Sequence, residues 1–140
     1  MSRIFWDTNL YIYLIEGKSS MAEQVAVLRK KMRARGDQLL TSTLTLGEIL
    51  VKPLQMGDLN LSRVYQRELT ISSVLIPFDV EAAGAYARLR SDRSLRAPDA
   101  IQLACAATVG VDLFITNDIR LHSKQIPGIQ FIVPLDRVPI

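Results

Sequence analysis

The chain is predicted to be an α/β protein whose parallel sheet is covered by helices on both faces. Three observations carry that expectation. Short β-favouring runs alternate with longer stretches of helical periodicity along the whole chain. No internal repeat and no Pro/Gly/Ser-rich linker interrupts the alternation, so residues 1–140 are expected to form one domain. The segment from Pro98 to Val109 is apolar almost all round, which suits a buried helix. Strands and helices in this order imply right-handed crossovers and about five parallel strands.

The elements follow in order. Arg3 to Trp6 reads as a first strand, and Leu10 to Ile15 as a helix ending at Gly17. Ser19 or Ser20 caps a long helix to about Arg35, with Met21, Val25, Leu28 and Met32 at helical spacing and Gly36 at its end. Gln38 to Thr41 is the second strand. Ser42 or Thr43 caps the next helix, which Pro53 kinks or ends, and Met56-Gly57-Asp58 is the break. A helix over Leu61 to Ile71 leads to a third strand at Val74 to Ile76, and Asp79 caps a helix to about Arg90. The buried helix from Pro98 ends at Gly110. Leu113 to Ile115 is the fourth strand, and Gln130 to Val133 is a fifth at the edge, where Pro134 is tolerated.

Composition narrows the function classes. With 140 residues, 49% hydrophobic and 22% charged, the chain can bury roughly 70% of its unfolded surface and does not read as disordered. The acidic Asp7 interrupts the opening apolar run too early for a secretory leader or a spanning helix, so a cytoplasmic protein with no membrane segment is expected. The single Cys105, between alanines, reads as a small buried hydrophobe. The net charge of +3 is modest, but Arg29, Lys30, Lys31, Arg33 and Arg35 cluster, as do Arg88, Arg90, Arg93 and Arg96. Such clusters suit phosphates, and they equally suit a solvated helix face and a charged turn.

Four carboxylates stand at strand ends or helix starts: Asp7, Glu48, Asp99 and Asp118. In an open α/β sheet these positions converge beyond the carboxyl ends of the strands, where ligands bind. Each has an ordinary alternative. Asp7 and Asp118 suit helix caps, Asp99 complements a helix N-terminus, and Glu48 fits an exposed helix face. Gathering all four without a cation is costly, because like charges oppose one another's ionisation. An all-oxygen set points to Mg²⁺ or Mn²⁺ and away from a structural zinc site. His122 is the only histidine and reads as a surface residue near a turn, so a Ser-His-Asp mechanism lacks material. Phosphate-cradling glycine motifs are absent, and no aromatic platform for stacking bases is evident. Metal-assisted hydrolysis of a phosphodiester is the chemistry that remains. An aspartyl nucleophile at Asp7 is a rival, weakened by Asn9, where haloacid-dehalogenase-like enzymes carry a second Asp.

Trp6-Asp7-Thr8-Asn9, Thr45-Leu46-Gly47-Glu48-Ile49-Leu50, Ala97-Pro98-Asp99-Ala100-Ile101-Gln102-Leu103-Ala104 and Ile115-Thr116-Asn117-Asp118 together resemble the PIN-domain ribonucleases, particularly the toxins of VapBC-type toxin–antitoxin pairs. The resemblance spans almost the whole chain. It implies a three-layer α/β/α sandwich and a metal-dependent endoribonuclease whose acidic ligands are Asp7, Glu48, Asp99 and Asp118. It implies cleavage leaving a 5′-phosphate and a 3′-hydroxyl, a homodimer, and a small VapB-like antitoxin that blocks the site. Thr116, with Asn9 or Asn117, is implied in a supporting role. Gln102 stands where many relatives carry His; it is not a metal position and is expected to leave the chemistry untouched. The residues themselves suggest that Thr8, Asn9, Thr116 and Asn117 fix carboxylate rotamers, although Asn and Thr favour turns anyway. Arg93 and Arg96 suit RNA phosphates beside the metal, or a solvated loop. A non-catalytic module that binds RNA or a protein partner is the alternative function.

Overall fold

The computed structural model describes residues 1–140. Five strands, β1 (Arg3–Trp6), β2 (Gln38–Ser42), β3 (Val74–Ile76), β4 (Val111–Ile115) and β5 (Ile129–Val133), form one sheet in the order β3-β2-β1-β4-β5. Every pairing is parallel. Six helices surround the sheet: α1 (Thr8–Glu16), α2 (Ser20–Arg35), α3 (Thr43–Gln55), α4 (Leu59–Ser72), α5 (Val80–Leu89) and α6 (Ala97–Val109). The expected α/β/α sandwich with a five-stranded parallel sheet is the fold observed.

The pleat of β1 sorts the core into two layers. Ile4 and Trp6 face one cluster, which holds Leu10 and Tyr11 of α1, Val25, Leu28 and Met32 of α2, Ile49 of α3 and Leu69 of α4. Phe5 faces the other, with Ala82 of α5 and Leu103, Cys105 and Ala106 of α6. Phe5 and Phe114 stand opposite each other on β1 and β4, and their rings stack with centroids 5.0 Å apart. Both faces of the sheet are covered, so the buried residues of its central strands are mostly apolar on both faces, with Thr41 and Ser42 at the carboxyl end of β2 the polar exceptions.

Local signals set most boundaries. Ser19, Ser42, Asp58 and Asp79 cap α2, α3, α4 and α5 by accepting from the backbone N–H three residues on. Asp58, expected only to break the chain, caps α4 and starts it at Leu59, ahead of the expected Leu61. Pro53 neither ends nor breaks α3, which runs on to Gln55. Its ring forgoes only one helical bond in the last turn, and burial of Pro53 compensates. Cys105 is fully buried, and burial pushes its thiol up to about 11. Tyr11 is also a core residue: its ring packs against Trp6, and its hydroxyl lies 2.8 Å from Ser73 Oγ. No helix is long and apolar enough to cross a membrane.

Because β1 connects outward to β2 on one side and lies beside β4 on the other, the strand order reverses between β1 and β4. The crevice beyond the carboxyl ends of those two strands is where an open α/β sheet presents its ligand site. Asp7 follows β1 directly, and Asp118 lies three residues past the end of β4.

Candidate functional site

Asp7 stands at the carboxyl end of β1, next to β4. It is the N-cap of α1, and its Oδ1 accepts from the Thr8 backbone N–H at 2.8 Å. Its own N–H donates to the Ile115 carbonyl at 3.0 Å, which ties the start of α1 to the end of β4. The Thr116 hydroxyl donates to Asp7 Oδ2 at 2.7 Å and in turn accepts from Asn9 Nδ2 at 3.2 Å and from the Asp118 N–H at 3.1 Å. Thr116 is fully buried, so these hydrogen bonds fix the Asp7 rotamer and the path of the chain into Asp118 together.

Capping and site chemistry are therefore not alternatives for Asp7 or Asp118. Asp118 also caps the short 3₁₀ turn Ile119–Leu121, accepting from the Arg120 N–H. A cap spends one lone pair on a backbone donor and leaves the carboxylate's charge at the strand end.

Gln102, expected to leave the chemistry untouched, is in hydrogen-bond contact with Asp7. It is 3% exposed, and its Nε2 reaches Asp7 Oδ1 at 3.3 Å, Thr8 Oγ1 at 3.0 Å and Thr45 Oγ1 at 2.8 Å. Its Oε1 accepts from the Ser42 hydroxyl. That hydrogen bond fixes the amide's orientation, since an oxygen facing Ser42 leaves the NH₂ facing the Asp7 side. Thr45 lies 3.1 Å from Thr8 Oγ1 and 2.8 Å from Thr41 Oγ1, and Thr41 donates to the Trp6 carbonyl. Thr8 then donates to Glu48 Oε1 at 2.7 Å, so an unbroken polar chain links Glu48 on α3 to Asp7 at the end of β1. Periodicity and composition do not mark Gln102 or Thr45 as part of the site, because both sit inside helical stretches whose neighbours are apolar; only the motifs that carry the family resemblance contain them.

The four carboxylates share one edge without closing into a cage. As they lie, no three of the chain's His, Cys, Asp and Glu side chains converge closely enough to grip a metal ion. Asp99, in the first turn of α6, and Asp118 are instead spanned by the Arg120 guanidinium, at 3.3 Å from Asp99 Oδ2 and in direct contact with Asp118. Neutral donors and one guanidinium take the carboxylate oxygens and offset part of the repulsion between like charges. Sequence reasoning misses Arg120; its place two residues after Asp118 is the one signal that could have found it.

Electrostatics separate the members of the set. Burial raises the Asp7 pKa above its usual 3.8; the Thr116 and Thr8 hydrogen bonds partly offset this, and the charges of Asp99 and Glu48 add to it. Asp118 is shifted the other way, chiefly by its hydrogen bond from Arg120, with the Arg96 charge helping. Asp7 is thus a carboxylate whose charge is opposed by its surroundings and touched by no protein cation.

The remaining candidates divide. Thr8, Asn9 and Thr116 touch the carboxylate network. Asn117 spends its side chain elsewhere, with Oδ1 accepting from Leu135 N–H at 2.9 Å and Nδ2 facing Tyr13. Arg93 and Arg96 are exposed on the loop between α5 and α6. Lys124 anchors that loop through Asp92, at 2.8 Å. His122 is half-buried rather than a free surface residue, its Nε2 2.7 Å from the Thr116 carbonyl. The structure also gathers Phe78, Tyr86 and Arg90, with Phe78 edge-on to Tyr86 and Arg90 over its ring. Only Phe78 among the two aromatics is exposed, so this is not an extended stacking platform.

The sheet order and the acidic crevice define an α/β protein with an anionic, strand-end site. The chain belongs to the PIN-domain family: the family model for the PIN domain matches residues 4–126, a span that holds all four carboxylates. Among solved structures, the chain is similar to FitAB bound to an IR36 DNA fragment, with TM-score 0.74 and 17% identity over 98% of each chain. It is similar to DNA-bound VapBC from Salmonella typhimurium, with TM-score 0.71 and 19% identity over 96% of this chain and 99% of that one. It is also similar to VapBC2 from Rickettsia felis bound to a promoter DNA fragment, with TM-score 0.69 and 17% identity over 94% of this chain and 98% of that one. At these identities the likeness is one of fold. No curated protein matches the chain at a significant level.

Proposed function

We propose that this PIN-domain protein is a divalent-metal-dependent endoribonuclease and the toxin of a toxin–antitoxin pair. The observation that carries the catalytic reading is Asp7: a carboxyl at the end of the central strand, disfavoured as an anion by burial and by Asp99 and Glu48, with only neutral donors against it. That environment fits a cation, and the all-carboxylate donor set fits Mg²⁺ or Mn²⁺. Asp7, Asp99, Asp118 and Glu48 would hold it. When bound, such an ion lowers the pKa of a water, polarises a phosphoryl oxygen and steadies the leaving oxygen.

The chain's own residues do the positioning. Thr116 and Gln102 hold the two oxygens of Asp7 from opposite sides. Glu48 commits Oε1 to Thr8 and keeps Oε2 for ligation or for taking a proton from water. Arg93 and Arg96, on an anchored loop ahead of Asp99, supply charge for RNA phosphates next to the cut.

The toxin assignment draws on the matched structures, two of them VapBC assemblies, and on a further match, described as a toxin–antitoxin complex from Klebsiella pneumoniae, with TM-score 0.64 and 22% identity over 93% of this chain and 99% of that one. On this reading a small antitoxin covers the acidic crevice, and the chain works in the cytoplasm as a homodimer. Cleavage of a mixed RNA pool with Mn²⁺, Mg²⁺ or EDTA tests the activity. Cutting that needs the metal and is lost in Asp7→Asn is the expected result, with 5′-phosphate ends. Full, EDTA-sensitive activity in Asp7→Asn would overturn the assignment. Co-expression with a small open reading frame beside the gene should restore growth that the chain alone arrests.

A second reading has one observation in its favour: Arg120 already pairs with two of the four acids, and no trio stands ready for a metal. A non-catalytic module that binds RNA or a protein partner would show binding without turnover under every divalent ion.

A further inference from the structure

Arg120 sits on the 3₁₀ turn just past β4 and reaches back over the acidic edge. Its Nε lies 2.9 Å from Asp118 Oδ1, while Nη2 contacts Asp118 Oδ2 and lies 3.3 Å from Asp99 Oδ2. The planar fork takes both oxygens of Asp118 side-on and joins them to a carboxylate from another element. The chain's other ion pairs, Arg35 with Asp37 and Lys124 with Asp92, lie outside this cluster. Arg120 is therefore the one protein cation that touches any of the four acids, and it touches two of them, Asp99 and Asp118.

Its position has two consequences. A guanidinium carries a single, spread charge, so it neutralises Asp99 and Asp118 only in part and leaves Asp7 and Glu48 to neutral donors. Its side chain is 41% exposed, so the pair faces water and a small ion can reach the same oxygens. A doubly charged ion among all four acids removes more repulsion than Arg120 can, and it needs the oxygens that Arg120 holds.

We infer that Arg120 is the built-in counter-ion of the acidic site: it competes with the divalent cation for Asp99 and Asp118 and, once displaced, binds the RNA backbone. This rests on the reading of the four acids as a cation site. The freed guanidinium stays tethered beside the crevice, where phosphate oxygens offer it the same side-on pairing that it gives up. Cation and RNA then favour each other's binding through one side chain.

Calorimetric titration of Mn²⁺ into the full chain tests the competition, with wild type, Arg120→Gln, Arg120→Lys and Asp7→Asn compared. Arg120→Gln is expected to bind Mn²⁺ about tenfold tighter. Arg120→Lys, which keeps the charge, should stay near wild type. A structural role alone would alter melting and leave Mn²⁺ affinity unchanged. Anisotropy with a phosphorothioate-linked RNA oligonucleotide reads the second half. The deficit of Arg120→Gln in RNA affinity should be larger with Mn²⁺ than without it. Equal or weaker Mn²⁺ binding by Arg120→Gln overturns the competition, and a deficit independent of Mn²⁺ overturns the transfer to RNA. If wild type binds Mn²⁺ and Asp7→Asn does not, the cation site stands whatever Arg120 does. If no variant binds Mn²⁺, the cation site and this inference fall together.

Discussion

Gln102 holds its amide nitrogen 3.3 Å from Asp7 Oδ1 because Ser42 occupies the amide's oxygen. The pairing joins the middle of the buried helix α6 to the end of the central strand. It makes a residue that is neither charged nor a ligand into the hinge of a polar network running from Asp7 to Glu48.

Gln102→Leu keeps the volume and removes every one of these hydrogen bonds. Ser42 and Thr45 are buried, and leaving either without its partner costs about 1–3 kcal/mol of stability. Urea denaturation reads that cost. If Gln102 also positions Asp7, RNA cleavage falls through kcat with KM little changed; an unaltered kcat would leave Gln102 a purely structural residue.

Asp7 gives a pH signature. Its pKa is raised on folding, so above 3.8 the folded protein holds more protons at this site than the unfolded chain. The stability of the metal-free protein therefore declines as pH rises from 3.8 through the raised native value, and the deficit persists above it. Asn cannot ionise but still caps a helix. In EDTA, the difference in Tm between Asp7→Asn and wild type should shift in favour of the variant across that window. Parallel pH profiles for the two proteins would contradict the burial argument.

Arg93 and Arg96 are assigned to phosphates by position alone. Replacing both with Ala should weaken single-stranded RNA binding and flatten the plot of log affinity against log salt by about 1.4, at about 0.7 for each phosphate that is no longer neutralised. An unchanged slope would return both residues to the solvated loop.

Gly128 supplies a control far from the site. Its φ is +97°, and a Cβ there would clash with the Ala107 carbonyl oxygen. Gly128 also accepts from the Val111 N–H at the opposite end of β4 from Asp118. Gly128→Ala should cost about 1–3 kcal/mol through this backbone clash, and Mn²⁺ affinity should be unaffected in the folded fraction. A neutral thermal melt would show that the turn can relax.

Much of the architecture is legible from residue order. Strand cores such as Ile4-Phe5-Trp6 and Leu113-Phe114-Ile115, caps such as Ser19 and Asp79, and the terminating Gly17 and Gly36 act within a few residues, so local physics reveals them. Boundaries slip where a residue does two jobs: Asp58 both breaks one helix and caps the next, and Pro53 ends a pattern without ending the helix.

By itself, the sequence determined the alternation of strands and helices, the apolar faces that make a parallel sheet, and the placement of Asp7, Glu48, Asp99 and Asp118 near strand ends or helix starts. Tertiary structure alone decided which partners those acids keep. Gln102 meets Asp7 across 95 positions and Thr116 meets it across 109, while Arg120 bridges to Asp99 across 21. Periodicity and capping report neighbours along the chain. A hydrogen bond between distant residues depends on how the sheet stacks its strands and how the helices lie over them, and no short pattern encodes that.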